Sequence, residues 1–193
     1  MRRTNDMSLT QERVRNMLNY DPETGFLTWR FDVKGRGVSH RRMGERAEVL
    51  RSSGYLVVNL ENVRYRAHRL AWIWMMGISP EMQIDHINGR RSDNRWANLR
   101  LATQQQNSAN MIRERVADLP KGVVRYRNER TGTVRYRAHI MVDGHTNYLG
   151  SFRTADAASA AYAQAAREHF GEFARATSIY RALLLPVLAL SMQ

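Results

Sequence analysis

Between residues 83 and 110 the chain reads QIDHINGRRSDNRWANLRLATQQQNSAN, and no other stretch constrains the fold as strongly. A short apolar approach, residues 82–84, ends with Asp85 and His86 side by side. Asn98 follows twelve residues after His86, just before the strand-like run Leu99, Arg100, Leu101, and Asn107 comes nine residues later. Thr103 with Gln106 three residues on is a capping-box pattern, so a helix is expected to open there. The spacing predicts strand, long polar loop, strand, helix, folded so that both strand ends and the helix face one point.

At that point stand a carboxylate, an imidazole and two carboxamides. Asp85 and Asn107 offer hard oxygen ligands, suited to Mg²⁺ or Mn²⁺ with several water positions left over. A neutral imidazole at His86 suits removal of a proton from water. Asn98 is placed to accept a hydrogen bond from the other ring nitrogen and so fix the tautomer. An Asp-His pair alone is common on surfaces. The whole set, with NRWANLR leading into the second strand, is far more specific.

These residues resemble the HNH endonucleases, whose site is a ββα-metal motif, here in an Asp-His, Asn, Asn version. The resemblance implies His86 as general base and Asn98 as the residue orienting it. It implies Asp85 and Asn107 as ligands of one divalent ion, Mg²⁺ or Mn²⁺, per site. The third position is Asn107 instead of histidine, and a neutral amide oxygen argues for those ions over zinc. Residues 20–112, with the YDPETG turn and AHRLAW helix, resemble more loosely the lead-in of this family.

The composition agrees with a polyanionic partner. A formal net charge of +12 and a sequence pI near 10.9 favour an anionic polymer, most simply nucleic acid, and the resemblance implies double-stranded DNA. The chain has no cysteine, which excludes disulfides, a thiol nucleophile and cysteine-based zinc ribbons, and which fits a reducing compartment. The first fourteen residues lack an apolar core, so no signal peptide is expected. The apolar run at 182–192 is interrupted by Pro186 and is about half the ~20 residues of a spanning helix. The expectation is a protein of the cytosol, that of a host cell if phage-encoded, with no membrane partner.

The fold class expected is α+β. Ser8 is expected to cap a first helix over 8–19, followed by a turn at 21–25, a strand at 26–31 and a basic loop at 32–46. A hairpin at 54–60 and 63–67 precedes a buried helix over 68–76, in which His68 reads as structural and Trp72 and Trp74 as core. The domain reading is a nuclease domain with its N-terminal extension over 1–112, a linker at 113–120, a second domain over 121–176 and an apolar tail at 177–193. The tail either covers the core or makes a homodimer contact.

In the second domain three strands with turns at Thr131-Gly132 and Asp143-Gly144 precede an alanine-rich helix capped by Thr154 and ended by Gly171. A three-stranded antiparallel sheet packed on one helix is the natural assembly. KGV at 121–123, YLGSF at 148–152 and the helix through Tyr162 to Phe170 resemble the DNA-binding domain of plant ethylene-response factors, with a tyrosine where that family has tryptophan. That resemblance implies a sheet in the major groove and contacts from Arg125, Arg127, Arg135 and Arg137. Residues 121–153 hold seven basic side chains against two acidic, a net charge of +5. With a period of two, the four guanidinium groups are expected on one sheet surface, clamping phosphates and reaching guanine edges.

The expected function is metal-dependent DNA phosphodiester hydrolysis of the nicking or homing type, by analogy with phage homing nucleases. The rival is a DNA-binding regulator built on an inactive nuclease fold.

Overall fold

In the computed structural model of the chain, the described residues are 9–32, 42–111 and 119–175. They divide into two compact units, one ending at Thr103 and the other starting at Gln104. The expected Ser8 cap, most of the basic loop at 32–46, most of the 113–120 linker and all of the 177–193 tail lie outside the described residues. The α+β class holds.

The first unit opens with α1 (Gln11–Met17), whose cap is Thr10, in extended conformation, with its hydroxyl accepting from the Arg13 amide. Leu18 then leaves helical geometry and starts β1 (Leu18–Tyr20), which pairs antiparallel with β2 (Leu27–Trp29). Asp21 shapes the turn between them. Its carboxylate accepts from the Glu23 amide and from the Thr24 hydroxyl, and its carbonyl from the Gly25 amide at 2.8 Å.

A three-stranded sheet follows, in the order β3 (Glu48–Leu50), β4 (Leu56–Leu60), β5 (Val63–Arg66). Glu61 and Asn62 join the last two with positive φ, the signature of a two-residue hairpin whose twist matches its strands. β5 runs straight into α2 (Ala67–Met76), ended by Gly77 in the left-handed region. Leu70, Ala71, Trp72 and Ile73 of α2 are buried in one core with Leu18, Tyr20, Leu27, Val58 and Leu60. That core carries a second, two-stranded hairpin, β6 (Gln83–His86) and β7 (Leu99–Ala102), through Ile84 and Leu99. Burying a Leu or Ile side chain stabilises by about 1.5–3 kcal/mol, so the hairpin bearing Asp85 and His86 is anchored on both strands.

The second unit begins with α3 (Gln104–Asn110), directly after Thr103. Its Ala109 is buried with Ile140, Tyr162, Ala165, Ala166 and Phe170. The sheet is β8 (Val123–Arg127), β9 (Val134–Val142) and β10 (His145–Phe152), antiparallel with β9 central. It packs on α4 (Ala155–Phe170), capped by Thr154, whose hydroxyl accepts from the Ala157 amide. This is the expected three strands on one helix. Small residues let the layers approach closely: a Cβ on Gly122 would stand 2.1 Å from the Tyr162 ring. Among the described residues, no helix is long and apolar enough to cross a membrane.

Candidate functional site

Asp85 and His86 close strand β6, which runs two residues beyond the apolar approach at 82–84. Register places Asp85 opposite Arg100 and His86 opposite Leu99. Neighbours along a strand point to opposite faces, yet both side chains are only 4 % exposed, so each has its own buried environment. Arg100 Nε donates to Asp85 Oδ2 at 3.0 Å, a charge-assisted bond that compensates the buried carboxylate.

His86 Nε2 lies 3.0 Å from Asn94 Oδ1. A carboxamide oxygen only accepts, so Nε2 carries the proton and the basic lone pair is on Nδ1. The orienting bond expected from Asn98 is made by Asn94 instead. Asn98 is used to close the loop. Its Oδ1 accepts from the Asn88 amide at 2.9 Å, and its Nδ2 donates to Asn88 Oδ1 and to the Asp93 carbonyl. Asn88 in turn donates to Asp93, whose carboxylate also takes Nε and Nη2 of Arg95. Those bonds, the guanidinium's first, hold the Asp93 carboxyl down at about 2. Nothing in the sequence marks Asn94 as different from a turn asparagine.

What holds Asn94 comes from far along the chain. The Tyr20 hydroxyl donates to the Asn94 carbonyl at 2.7 Å, and the Trp96 amide donates to the Pro22 carbonyl at 2.9 Å. Burial, first of all, keeps the Tyr20 phenol protonated far above its usual range. Trp96 packs against Trp72 of α2, the rings tilted with centroids 5.1 Å apart. Gly25, at φ +76°, lies so close to the loop that a Cβ there would be 2.4 Å from the Arg95 nitrogen.

Burial is the largest influence on His86 and pushes its pKa below the imidazole range. The Asn94 bond, Asp85 and Asp93 raise it in part, and Arg91 lowers it. His68, near the start of α2, meets His86 edge-on at 5.1 Å and is 4 % exposed. Burial first, then the charges of His86, Arg66 and Arg69, bring His68 down to about 3. The folded state therefore holds His68 neutral while the unfolded chain protonates it near pH 6.5. Its stabilising share is complete above that pH and is lost as pH falls from there towards 3. Between pH 7 and 5 that share is about 2 kcal/mol. Urea unfolding of a His68→Phe variant, which keeps a ring without a titrating group, should give a correspondingly flatter stability–pH curve over this interval. An unchanged curve would show that His68 is accessible to protons in the native state.

The donors fit a hard cation better than zinc. Among the described residues no three His, Cys, Asp or Glu side chains cluster to hold a metal, as a zinc cage requires. Magnesium asks less of a protein, one or two carboxylates with water and phosphate oxygens completing the shell. Asp85 supplies a buried carboxylate of that kind. Asn107 is half-buried on α3, in the second unit.

In the second unit the register corrects one expectation. Arg125 pairs with Tyr136 and Arg127 with Val134, whereas Tyr126 pairs with Arg135. Paired residues share a face, so Arg125 and Arg127 fall on the side bearing α4, with buried Val123 and Ala138. Arg135 and Arg137 lie on the open side with Tyr126 and His139. The four guanidinium groups are therefore split two and two. On the open face Arg137 lies 3.7 Å from the Tyr126 ring centre, and His139 and Tyr148 meet at 5.3 Å.

Residues 65–109, from β5 to α3, match the HNH endonuclease family. This part of the chain is similar to HNH endonuclease domains. HNH endonucleases act on DNA, and the Asp85-His86 hairpin lies inside the matched segment. Over 132 residues the chain is 31 % identical to an uncharacterized HNH endonuclease of Acanthamoeba polyphaga mimivirus; the similarity covers 67 % of this chain and 66 % of the viral one, a little under two thirds of the relative's length. No solved structure matches the chain.

Proposed function

We propose that the chain is a divalent-metal-dependent endonuclease that nicks duplex DNA, with His86 as general base. The observation that carries this reading is the His86–Asn94 bond: Asn94 Oδ1 accepts from Nε2, which leaves the Nδ1 lone pair to take a proton, with the buried Asp85 the preceding residue on the strand. His86 Nδ1 would take a proton from water as the water oxygen attacks phosphorus in line. Asn94 keeps the ring from turning, and the imidazolium that forms is stabilised by Asp85 and Asp93, whose charges favour its protonated form.

Asp85 is assigned as one ligand of a Mg²⁺ or Mn²⁺ ion. Asn107 is assigned as the other on its sequence spacing alone. When bound, such an ion offsets the negative charge that develops on phosphate and leaving-group oxygens. Docking on the duplex is assigned to the second unit, whose resemblance to ethylene-response-factor domains supports it. The open face with Arg135, Arg137, Tyr126 and Tyr148 suits this better than the α4 side, because it joins cations to exposed aromatic rings. One site cuts one strand, so a nick is the expected product, as in homing-type nicking enzymes.

A second reading has one observation in its favour. Arg100 already compensates Asp85, with side chains 12 % and 4 % exposed, which would suit a DNA-binding regulator with an inactive nuclease fold. Incubating supercoiled plasmid with the full chain separates the two. The nuclease gives open circles with Mg²⁺ or Mn²⁺ and none with EDTA, whereas the regulator gives none in either.

The pH dependence follows from the depressed His86 pKa. The base must be neutral, so the nicking rate should stay on its plateau as pH falls to 6.5 and decline only below it. A profile already half lost at pH 7 would assign the limiting group elsewhere.

A further inference from the structure

Three rings meet beside the hairpin: Tyr55 lies 5.4 Å from His68 and 6.1 Å from His86, and the two histidines are 5.1 Å apart. Tyr55, just ahead of β4, also carries two cations. The Arg66 guanidinium sits 4.5 Å from its ring centre and that of Arg91 5.0 Å. Arg91 Nη1 is further fixed by donating to the Ser53 carbonyl at 3.0 Å. Both arginines are exposed, and among the described residues neither pairs with a carboxylate.

Arg66 occupies the N-cap of α2, a ten-residue helix with no side-chain cap bond and no acidic residue in its first turn. Its orphan amides add positive potential at the same place. Within this cluster, His68 Nδ1 is buried without a hydrogen-bond partner. Two guanidinium groups held on one phenol repel each other, and among the described residues no carboxylate pairs with either. A phosphodiester would, because planar guanidinium forks match phosphate oxygens.

We infer that Arg66 and Arg91, held on Tyr55, form a phosphate subsite that grips a DNA phosphate neighbouring the one hydrolysed at His86. This rests on the nuclease reading, and it adds a positioning element on the first unit itself. The grip is electrostatic, and it sets where the strand lies relative to the imidazole.

The test is duplex binding by fluorescence anisotropy across a salt series, with the full chain carrying His86→Ala so that binding is read without cleavage. Losing one phosphate contact lowers the slope of log K against log salt by about 1. Arg66→Gln with Arg91→Gln should show that loss, and Arg66→Lys with Arg91→Lys should keep the parent slope. Arg15→Gln removes an arginine stacked on Trp74 at 4.6 Å, outside the ring cluster, and should change nothing. Arg91→Gln alone, in a surface loop, gives the same reading should the double variant unfold. An unchanged slope, or one equally lowered by Arg15→Gln, overturns the subsite. A parent chain that fails to nick plasmid while the arginine variants still lower the slope overturns the nuclease reading and leaves the subsite standing.

Discussion

Replacing His86 by alanine should lower the nicking rate about 10²–10⁴-fold, the usual range for a positioned general base, while duplex affinity changes little. The residue is buried, but it sits at the end of a strand and packs against other rings, so the hairpin loses one edge contact and keeps its anchors at Ile84 and Leu99. Single-turnover cleavage of plasmid, with anisotropy on the same preparation, measures both quantities. Asn94→Ala provides the finer comparison. It leaves the imidazole in place and frees its orientation, which costs about 10–100-fold where a supporting partner is lost. Should Asn94→Ala cut at the parent rate while Asn98→Ala does not, the orienting bond belongs to Asn98 after all.

Gly25→Ala should be nearly as damaging without touching the site. A left-handed alanine costs about 1–2 kcal/mol. Here its Cβ would also meet backbone atoms of Asn94 and Arg95 at 2.4 Å, and such overpacking adds about 1–3 kcal/mol. The loop can yield only by shifting Asn94, so nicking should fall along with stability. Gly44 is the matching control. It has φ +85° and nothing within 4 Å of a built Cβ, so Gly44→Ala should show the backbone cost alone, with nicking intact. Urea midpoints and nicking rates for the two variants check this. Equal effects at both positions would mean that the 21–25 turn does not support the loop.

Much of this architecture is legible in the residues. The β-branched and aromatic runs give β4 and β5, the all-round apolar run gives α2, and Thr154 and Gly171 bracket α4. What is missed has physical causes. β1 and β3 are three residues each, too short to show a period of two. Thr10 competes with Ser8 for the cap because either hydroxyl could accept, and only backbone conformation decides. The two faces of the second sheet turn on register. The 128–133 loop is closed by the Asn128 amide donating to the Thr133 carbonyl, which sets Arg127 opposite Val134. A slip of one residue would have brought the arginines together.

The site is legible to the same degree. Asp85 and His86 stand out because NRWANLR and a helix start follow them at the spacing of one site. Asn94 does not, because its role depends on Tyr20, Pro22 and Gly25, some seventy residues earlier. Arg66 and Arg91 are invisible for the same cause: only the tertiary fold places both on Tyr55.

The most direct measurement is anomalous diffraction from crystals of the chain grown with Mn²⁺ and duplex DNA. The account predicts a peak at about 2.0–2.2 Å from an Asp85 carboxylate oxygen, with His86 still held by Asn94 and a phosphate within reach of its Nδ1. Asp85 bonded to Arg100 alone, with no manganese beside it, would contradict the account.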